Sequence, residues 1–284
     1  MRIAVLLATF NRKDKTLSCL RSLYDQQLPS DITFKVFHTD DNSTDGTREA
    51  VKLSFPDVEI LHGSGSLFWA GGMRNSWGAA VKEGFDYYLL LNDDTILLPH
   101  TVASLLDHVK AYGNGTDAVV IGSTMDKDKE VISYGGQRLY AQDKVQYYSV
   151  FSKTEAMECD MANANIMLVP DKVVKTIGIL SGDYTHSIAD FDYTLRAKKA
   201  GFKNIVVPGV SGYCVDDHGN NWRSGRVPLR ERIKYLKSPK GLAYYEYLHF
   251  IRQHFPKHLP VAFVKLWAKT LMPVLWDKFK VSNA

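Results

Sequence analysis

The residues richest in possible chemistry are Asn92, Asp93 and Asp94, which close the run Tyr87-Tyr88-Leu89-Leu90-Leu91. An apolar run of this length, bounded by polar residues, reads as a buried strand. Its end puts two adjacent carboxylates where a strand leaves the sheet, and open α/β sheets bind their ligands at that edge. Neighbouring carboxylates repel each other. A hard divalent cation with oxygen ligands, Mg2+ or Mn2+, relieves that repulsion. The alternative makes them loop aspartates that cap the helix after Pro99. A second acidic cluster, Asp40-Asp41-Asn42-Ser43-Thr44-Asp45-Gly46-Thr47, is made of turn formers and helix caps. Asp190 and Asp192 open a later helix and lie about 200° apart around it, so only one of them faces a given site easily. Asp192 is spaced to pair with Arg196 at i+4, and Asp190 has an N-cap as its bland reading.

The elements that must position these groups alternate. Residues 3–8 read as a strand, followed by the loop Thr9-Phe10-Asn11-Arg12 and a helix over about 14–27 that Pro29 stops. Strand 34–38, helix 48–54 and strand 58–61 form the next step. The stretch Gly63 to Gly72 reads as a glycine-rich loop whose backbone can approach a ligand, ahead of a helix over 73–83 that offers free N–H groups. Strand 87–91, helix 101–112 and strand 118–121 follow. This alternation predicts a mostly parallel sheet with helices on both faces. Residues 130–159 read as an irregular hairpin insert. Strand 165–169, helix 171–177, a helix from about 188 to Gly201 and strand 203–207 complete the body.

The chain has 284 residues, of which 45% are hydrophobic and 23% charged, so it is a folded α/β protein and not a disordered one. Cys19, Cys159 and Cys214 are odd in number and widely spaced, which fits a reducing cytosol better than a disulfide framework or a zinc site. Arg2 with a short apolar run makes a poor signal peptide, and no stretch of about 18 uncharged apolar residues exists to span a membrane. The net charge of +4 is divided unevenly: residues 1–217 carry −6 and residues 218–284 carry +10. A basic tail on an acidic body points to an anionic surface or ligand at one end. Residues 228–255 read as two helices split at Pro239 and Gly241. The segment 260–276 is amphipathic, with Trp267, Trp276, Lys265 and Lys269, and suits either an anionic membrane surface or docking on the body or a second subunit.

G-x-G-x-x-G is missing after the first strand, which argues against a dinucleotide-dependent dehydrogenase. The ordered set of motifs is more informative. Thr-Phe-Asn-Arg follows strand one, Asp-Asp-Asn-Ser-Thr-Asp-Gly-Thr follows strand two, and Gly-Gly-Met-Arg-Asn precedes the strand ending in Asn-Asp-Asp-Thr. Asp-x-Asp-x-x-Leu-Arg-x-x-x-x-Gly-Phe comes about a hundred residues later. With these motifs, roughly residues 1–220 resemble the family 2 glycosyltransferases, which have the GT-A fold. The segment 68–75 is most similar to bacterial rhamnosyltransferase-like members, although Met73-Arg74 stands where those commonly have Asn-Asn after the glycines.

The resemblance implies roles residue by residue. Asp41 falls on the aspartate that accepts a hydrogen bond from the pyrimidine base, with Thr9 and Asn11 lining the same base and ribose pocket. Gly71 and Arg74 fall in the donor-binding segment. Asp94 falls on the ligand of a Mn2+ or Mg2+ ion that bridges the diphosphate, and Asp93 faces the ribose or metal-bound water. Asp190 falls on the catalytic base that takes the acceptor hydroxyl's proton. His218, in the Asp216–Trp222 loop, matches a further metal ligand in some members, or is simply solvated. The implied architecture is a GT-A domain over 1–220, with a nucleotide-binding half at about 1–123 and an acceptor-binding half at about 124–220. A basic helical extension over 221–284 follows.

The implied activity is inverting, metal-dependent transfer of a sugar from a nucleoside diphosphate, UDP or dTDP ahead of GDP. The acceptor would be a hydroxyl of a glycan or lipid-linked glycan in polysaccharide assembly. Such an enzyme would be cytoplasmic, and peripheral on the inner membrane face if the tail binds lipid. One rival is a sugar-nucleotide nucleotidyltransferase, which needs a glycine-rich basic loop directly after strand one, where Ala8-Thr9-Phe10-Asn11-Arg12 stands. The other is a non-catalytic carbohydrate-binding protein, against which the joint presence of Asp41, Asp94 and Asp190 argues. Nucleic acid is not an expected partner, since no reading module accompanies the basic tail.

Overall fold

Strand β1 (Arg2–Thr9) is the axis of the molecule, and its alternating side chains feed two cores. Ile3, Val5 and Leu7 point to one face, where Leu20, Leu23, Leu105 and Leu106 cover them. Ala4, Leu6 and Ala8 point to the other, against Trp77, Tyr88 and Tyr193. This period of two, buried on both faces, is what a central strand of a parallel sheet requires. The structure is a computed structural model describing residues 1–215 and 227–273.

In chain order β1 is followed by α1 (Lys13–Tyr24), β2 (Thr33–Asp40), α2 (Thr47–Ser54), β3 (Glu59–His62), α3 (Phe68–Glu83), β4 (Tyr87–Leu91), β5 (Ile96–Leu97) and α4 (Thr101–Lys110). Then come β6 (Ala118–Asp126), β7 (Val131–Tyr134), β8 (Gly136–Leu139), β9 (Tyr147–Val150), β10 (Met157–Glu158), β11 (Met161–Ala162) and β12 (Ile166–Pro170). The last elements are α5 (Asp171–Ile177), α6 (Ala189–Lys199), β13 (Lys203–Tyr213), α7 (Leu229–Lys237), α8 (Tyr244–His254) and α9 (Leu259–Leu271).

The main sheet runs β10-β13-β6-β12-β4-β1-β2-β3. Strands β3, β2, β1 and β4 are parallel, as are β6 and β13. Strand β12 is antiparallel to both its neighbours, β4 and β6. That reversal matters for the site, because it brings the start of β12 to the carboxyl end of β4. The insert expected over 130–159 supplies β7 as a partner of β6, and β8 and β9, which form a small second sheet in the order β11-β8-β9.

Three of the boundaries that differ from the sequence reading bear on the site, and each differs for a local reason. Helix α1 ends at Tyr24, not near Gln27, because Gln26 and Gln27 bond the segment before α4: Gln26 Nε2 donates to Leu98 O at 2.7 Å and Gln27 N to Pro99 O at 3.0 Å. Helix α3 begins at Phe68, five residues before the expected start, so Gly71 and Gly72 are helical and do not form a ligand loop. A Cβ on Gly72 would lie 2.7 Å from Ala8 Cβ, so this glycine lets α3 pack closely on β1. Strand β13 runs on to Tyr213 through register shifts around Val210, which delivers Cys214 to the β4 end.

The carboxy-terminal helices are not a loose appendage. Phe250, Ile251, Phe255 and Ala262 are buried in the same core as Trp77 and Tyr193. Among the described residues no helix is long and apolar enough to cross a membrane.

Candidate active site

The carboxyl ends of β1 and β2 are tied into one surface. Asn11, at φ +53°, accepts from Thr44 N at 2.7 Å through its side chain, while its own N–H donates to Ser43 Oγ at 3.0 Å. Lys13 N donates to Asp45 Oδ2 at 3.0 Å. Thr9 is buried, with its hydroxyl 3.2 Å from that of Thr16. Asp40 accepts from Ser43 N and shapes the turn. Asp41 accepts from Gly65 N at 2.7 Å, Leu67 N at 2.8 Å and Phe68 N at 3.2 Å, so its carboxylate organises the approach to α3. A Cβ on Gly63 would collide with Asp41, so only glycine lets the chain pass this carboxylate. Asn11, Asn42, Phe68 and Ile188 all hold positive φ, and all sit at this edge. Such strain clusters where surrounding structure fixes a site.

At the end of β4, Asn92 is held on three sides. Its Oδ1 accepts from Trp69 Nε1 at 2.7 Å, its carbonyl accepts from Cys19 Sγ at 3.3 Å, and its N–H donates to Asn165 O at 3.1 Å. Trp69 is thus committed to the core and to Asn92. Asp93 is buried. Loss of hydration raises its pKa to about 7, with the Arg12 charge opposing that shift and the Asp94 charge adding to it. Arg12 Nη1 lies 2.6 Å from Asp94 Oδ2 and 3.3 Å from Asp93 Oδ1. Lys15 Nζ is 3.8 Å from Asp94 Oδ2, and Cys214 Sγ is 3.5 Å from Asp94 Oδ1.

Among the described residues no cluster of three His, Cys, Asp or Glu side chains gathers that could hold a metal. The carboxylate pair nevertheless fits a cation that takes one or two protein oxygens and completes its shell from phosphates and water. The direct sign is Asp93 Oδ2, a buried carboxylate oxygen with no hydrogen-bond partner among the described residues. His218 and the rest of the Asp216–Trp222 loop lie outside the described residues.

Asp190 stands in the first turn of α6. The preceding Ile188, at φ +74°, is an unusual conformation for a β-branched residue. Asp190 is not the N-cap. Its Oδ2 accepts from Ala164 N at 3.2 Å and its Oδ1 from Phe191 N at 2.9 Å. Burial raises its pKa to about 6, with those backbone N–H groups opposing the shift. Ala164 and Asn165 are consecutive, so one bonds Asp190 and the next bonds Asn92. The reversed strand β12 thereby sets the two acidic groups on either side of a two-residue bridge.

Asp192 turns the other way, as the helical spacing predicts. Burial pushes its pKa up, but His254 Nε2 at 2.8 Å and Arg196 Nε at 2.7 Å more than offset this and hold the carboxyl below its usual range. The loop before α6 is clamped from both sides. Ala70 N donates to Thr185 O at 3.1 Å, and Thr185 N donates to Glu246 Oε2 at 3.0 Å. Arg74 donates to Ser181 O at 2.8 Å and Tyr184 O at 2.7 Å, so it holds this loop. Gly71 is buried in the first turns of α3, with a built Cβ 3.1 Å from Leu67 Cβ.

Arg12, Lys15, Cys214 and His254 escaped the sequence reading. Arg12 had a signal, standing in the loop after β1 next to Asn11. Cys214 and His254 had none, because their partners are 120 and 62 residues away. Open depressions near Tyr24, Ile32 and Asp57, and near Asp86, Lys172 and Thr176, lie away from the carboxyl ends of the strands. The chemistry-bearing groups do not.

Fold and site together describe an α/β protein that gathers acidic groups at the carboxyl ends of its strands. Residues 4–166 match the family described as Glycosyl transferase family 2, and the chain belongs to that family. The architecture is the GT-A fold. A mannosyltransferase from Pyrobaculum calidifontis, solved in complex with GDP-Man and Mn2+, superposes with a TM-score of 0.55 at 16% identity, over 96% of this chain and 70% of that one. No curated protein matches the chain.

Proposed function

We propose that this glycosyltransferase is inverting and metal-dependent, and moves a sugar from a nucleoside diphosphate to a hydroxyl of a glycan or lipid-linked glycan in polysaccharide assembly. The observation that carries the reading is the Ala164–Asn165 bridge, which joins a carboxylate raised to about 6 to the Asn92–Asp94 turn. Asp190 takes the acceptor proton as the hydroxyl attacks, and a carboxylate raised toward neutrality suits that task. A bound Mn2+ or Mg2+ supplies charge neutralisation for the departing diphosphate. Asp94 would hold that cation, Asp93 would face the ribose or metal-bound water, and His218 is a further candidate ligand. Thr9, Asn11 and Asp41 line the nucleotide side, with Gly71 and Arg74 shaping the wall behind the donor. Tyr147 packs edge-on to Phe191 and feels the Asp190 charge, which places an aromatic surface beside the base for an acceptor ring.

The donor is a nucleoside diphosphate sugar. Asp41 can accept from N3–H of uracil or thymine, which favours UDP or dTDP. The GDP-Man held by the Pyrobaculum protein keeps guanosine in the comparison. The test is a thermal-shift panel of UDP-, dTDP- and GDP-sugars with Mn2+, because a ligand at 100 times its Kd stabilises by about 2.7 kcal/mol. One base should raise the melting temperature in wild type and fail to do so in Asp94→Ala. A panel with no cation-dependent shift would remove the metal from this account.

The same reading puts the enzyme on the cytoplasmic side, peripheral on the inner membrane face. Helix α9 leaves Val261, Val264, Leu271 and Met272 exposed, with Lys257 and Lys265 nearby. Trp267 turns inward to Tyr244, and the outer part of the amphipathic segment, with Trp276, lies outside the described residues.

A further inference from the structure

Arg12 occupies the oxygens that the proposed cation needs. A single nitrogen, Nη1, bridges Asp94 Oδ2 and Asp93 Oδ1 at 2.6 and 3.3 Å, as a point charge between two carboxylates would. An arginine chosen for tight pairing uses its fork on both oxygens of one partner; this one does not. The contact also leaves the pair incompletely served, since Asp93 Oδ2 has no hydrogen-bond partner among the described residues. The backbone at Arg12 is pinned, because its carbonyl accepts from Thr16 N at 2.9 Å and from Thr16 Oγ1 at 3.0 Å. The side chain is not pinned: it is 39% exposed, while the Asp94 side chain is 13% exposed. A side chain exposed to that extent, on a fixed backbone, can swing away without disturbing α1.

We infer that Arg12 is a resident counter-cation of the Asp93–Asp94 pair, exchanged for the divalent ion when that ion arrives with its nucleotide. This rests on the metal reading above. One positive charge steadies two adjacent carboxylates and keeps their geometry. A doubly charged ion replaces it because it is small enough to serve both carboxylates and also carries phosphate oxygens. The displaced guanidinium, anchored at the end of β1, stays within side-chain reach of the diphosphate. Arg12 therefore sets the cation affinity of the site and couples it to nucleotide: cation alone must compete, whereas cation with diphosphate gives Arg12 a new partner.

The test titrates Mn2+ into the full-length protein by calorimetry, without nucleotide, for wild type, Arg12→Gln, Arg12→Lys and Asp94→Asn. If Arg12 holds the pair in nine-tenths of molecules, removing it tightens Mn2+ binding by roughly tenfold. Arg12→Lys keeps a charge but not the planar head, and should fall between. Without cation Arg12→Gln should melt below wild type, and saturating Mn2+ should close that gap, which loss of an ordinary surface contact would not do. If Arg12→Gln does not fold, Arg12→Lys carries the comparison alone. Mn2+ affinity unchanged or weakened in these variants, with Asp94→Asn abolishing it, would overturn the exchange and leave the metal site standing. Absence of Mn2+ binding in wild type as well would overturn both.

Discussion

Asp190 and Asp192 show how differently two neighbouring carboxylates can be held. They sit two residues apart on α6, yet one meets two backbone N–H groups and the other a histidine and an arginine. Their pKa values move in opposite directions because the neutral N–H groups do not offset the burial of Asp190, whereas the histidine and arginine more than offset that of Asp192. For Asp190 the consequence is a pH profile. The base works only when deprotonated, so kcat/KM should be flat above about pH 6 and fall about tenfold per unit below it. A limb near pH 4, the ordinary range of an aspartate, would show that this carboxyl is not the group titrating. The helical spacing alone separated the two faces and predicted the Asp192–Arg196 pair. It could not show which face met solvent and substrate, because that depends on Ala164, which comes from another strand.

At the scale of elements, the loop before α6 is the part most dependent on distant chain. Helix α3 holds it through Ala70 and Arg74, and α8 holds it through Glu246, while His254 ties α8 to α6 itself at Asp192. Removing the His254 side chain should loosen α6 from α8 and leave Asp192 with Arg196 and the Tyr184 hydroxyl. A hydrogen bond to a buried charge contributes about 1.5–3 kcal/mol. His254→Ala should therefore lower unfolding stability by that amount in a denaturant titration and reduce transfer with little change in donor binding. A variant of unchanged stability would contradict the clamp. Strands were largely legible, since buried runs such as Leu89–Leu91 leave few alternatives. The start of α3 was not: Gly71 and Gly72 carry the composition of a loop, and the reason for Gly72 inside a helix, its close approach to Ala8, lies on a distant strand.

For the whole molecule, the charge division of −6 and +10 was visible in the sequence, but how the basic part sits was not. An apolar helical face says that something covers it, and for α8 the cover is the catalytic core itself. The division proposed at residue 220 therefore separates motifs, not cores. Helix α9 keeps both possibilities in one element: Ala262, Leu266 and Thr270 face inward, while Val261, Val264 and Leu271 remain outside. If that outer face meets lipid, the protein should sediment with anionic vesicles and much less with neutral ones or at high salt. Val264→Glu should abolish most of that binding and leave melting unchanged. Equal sedimentation of wild type and Val264→Glu would contradict a lipid role for α9.

The central claim is that Asp190 is the base of a transfer reaction whose donor is held at the Asp93–Asp94 turn. The most direct measurement is nucleoside diphosphate release during transfer by Asp190→Asn, alongside its Mn2+-dependent nucleotide binding. The account predicts binding within about twofold of wild type and transfer reduced by roughly 10²–10⁴-fold. Transfer by Asp190→Asn at the wild-type rate would contradict it.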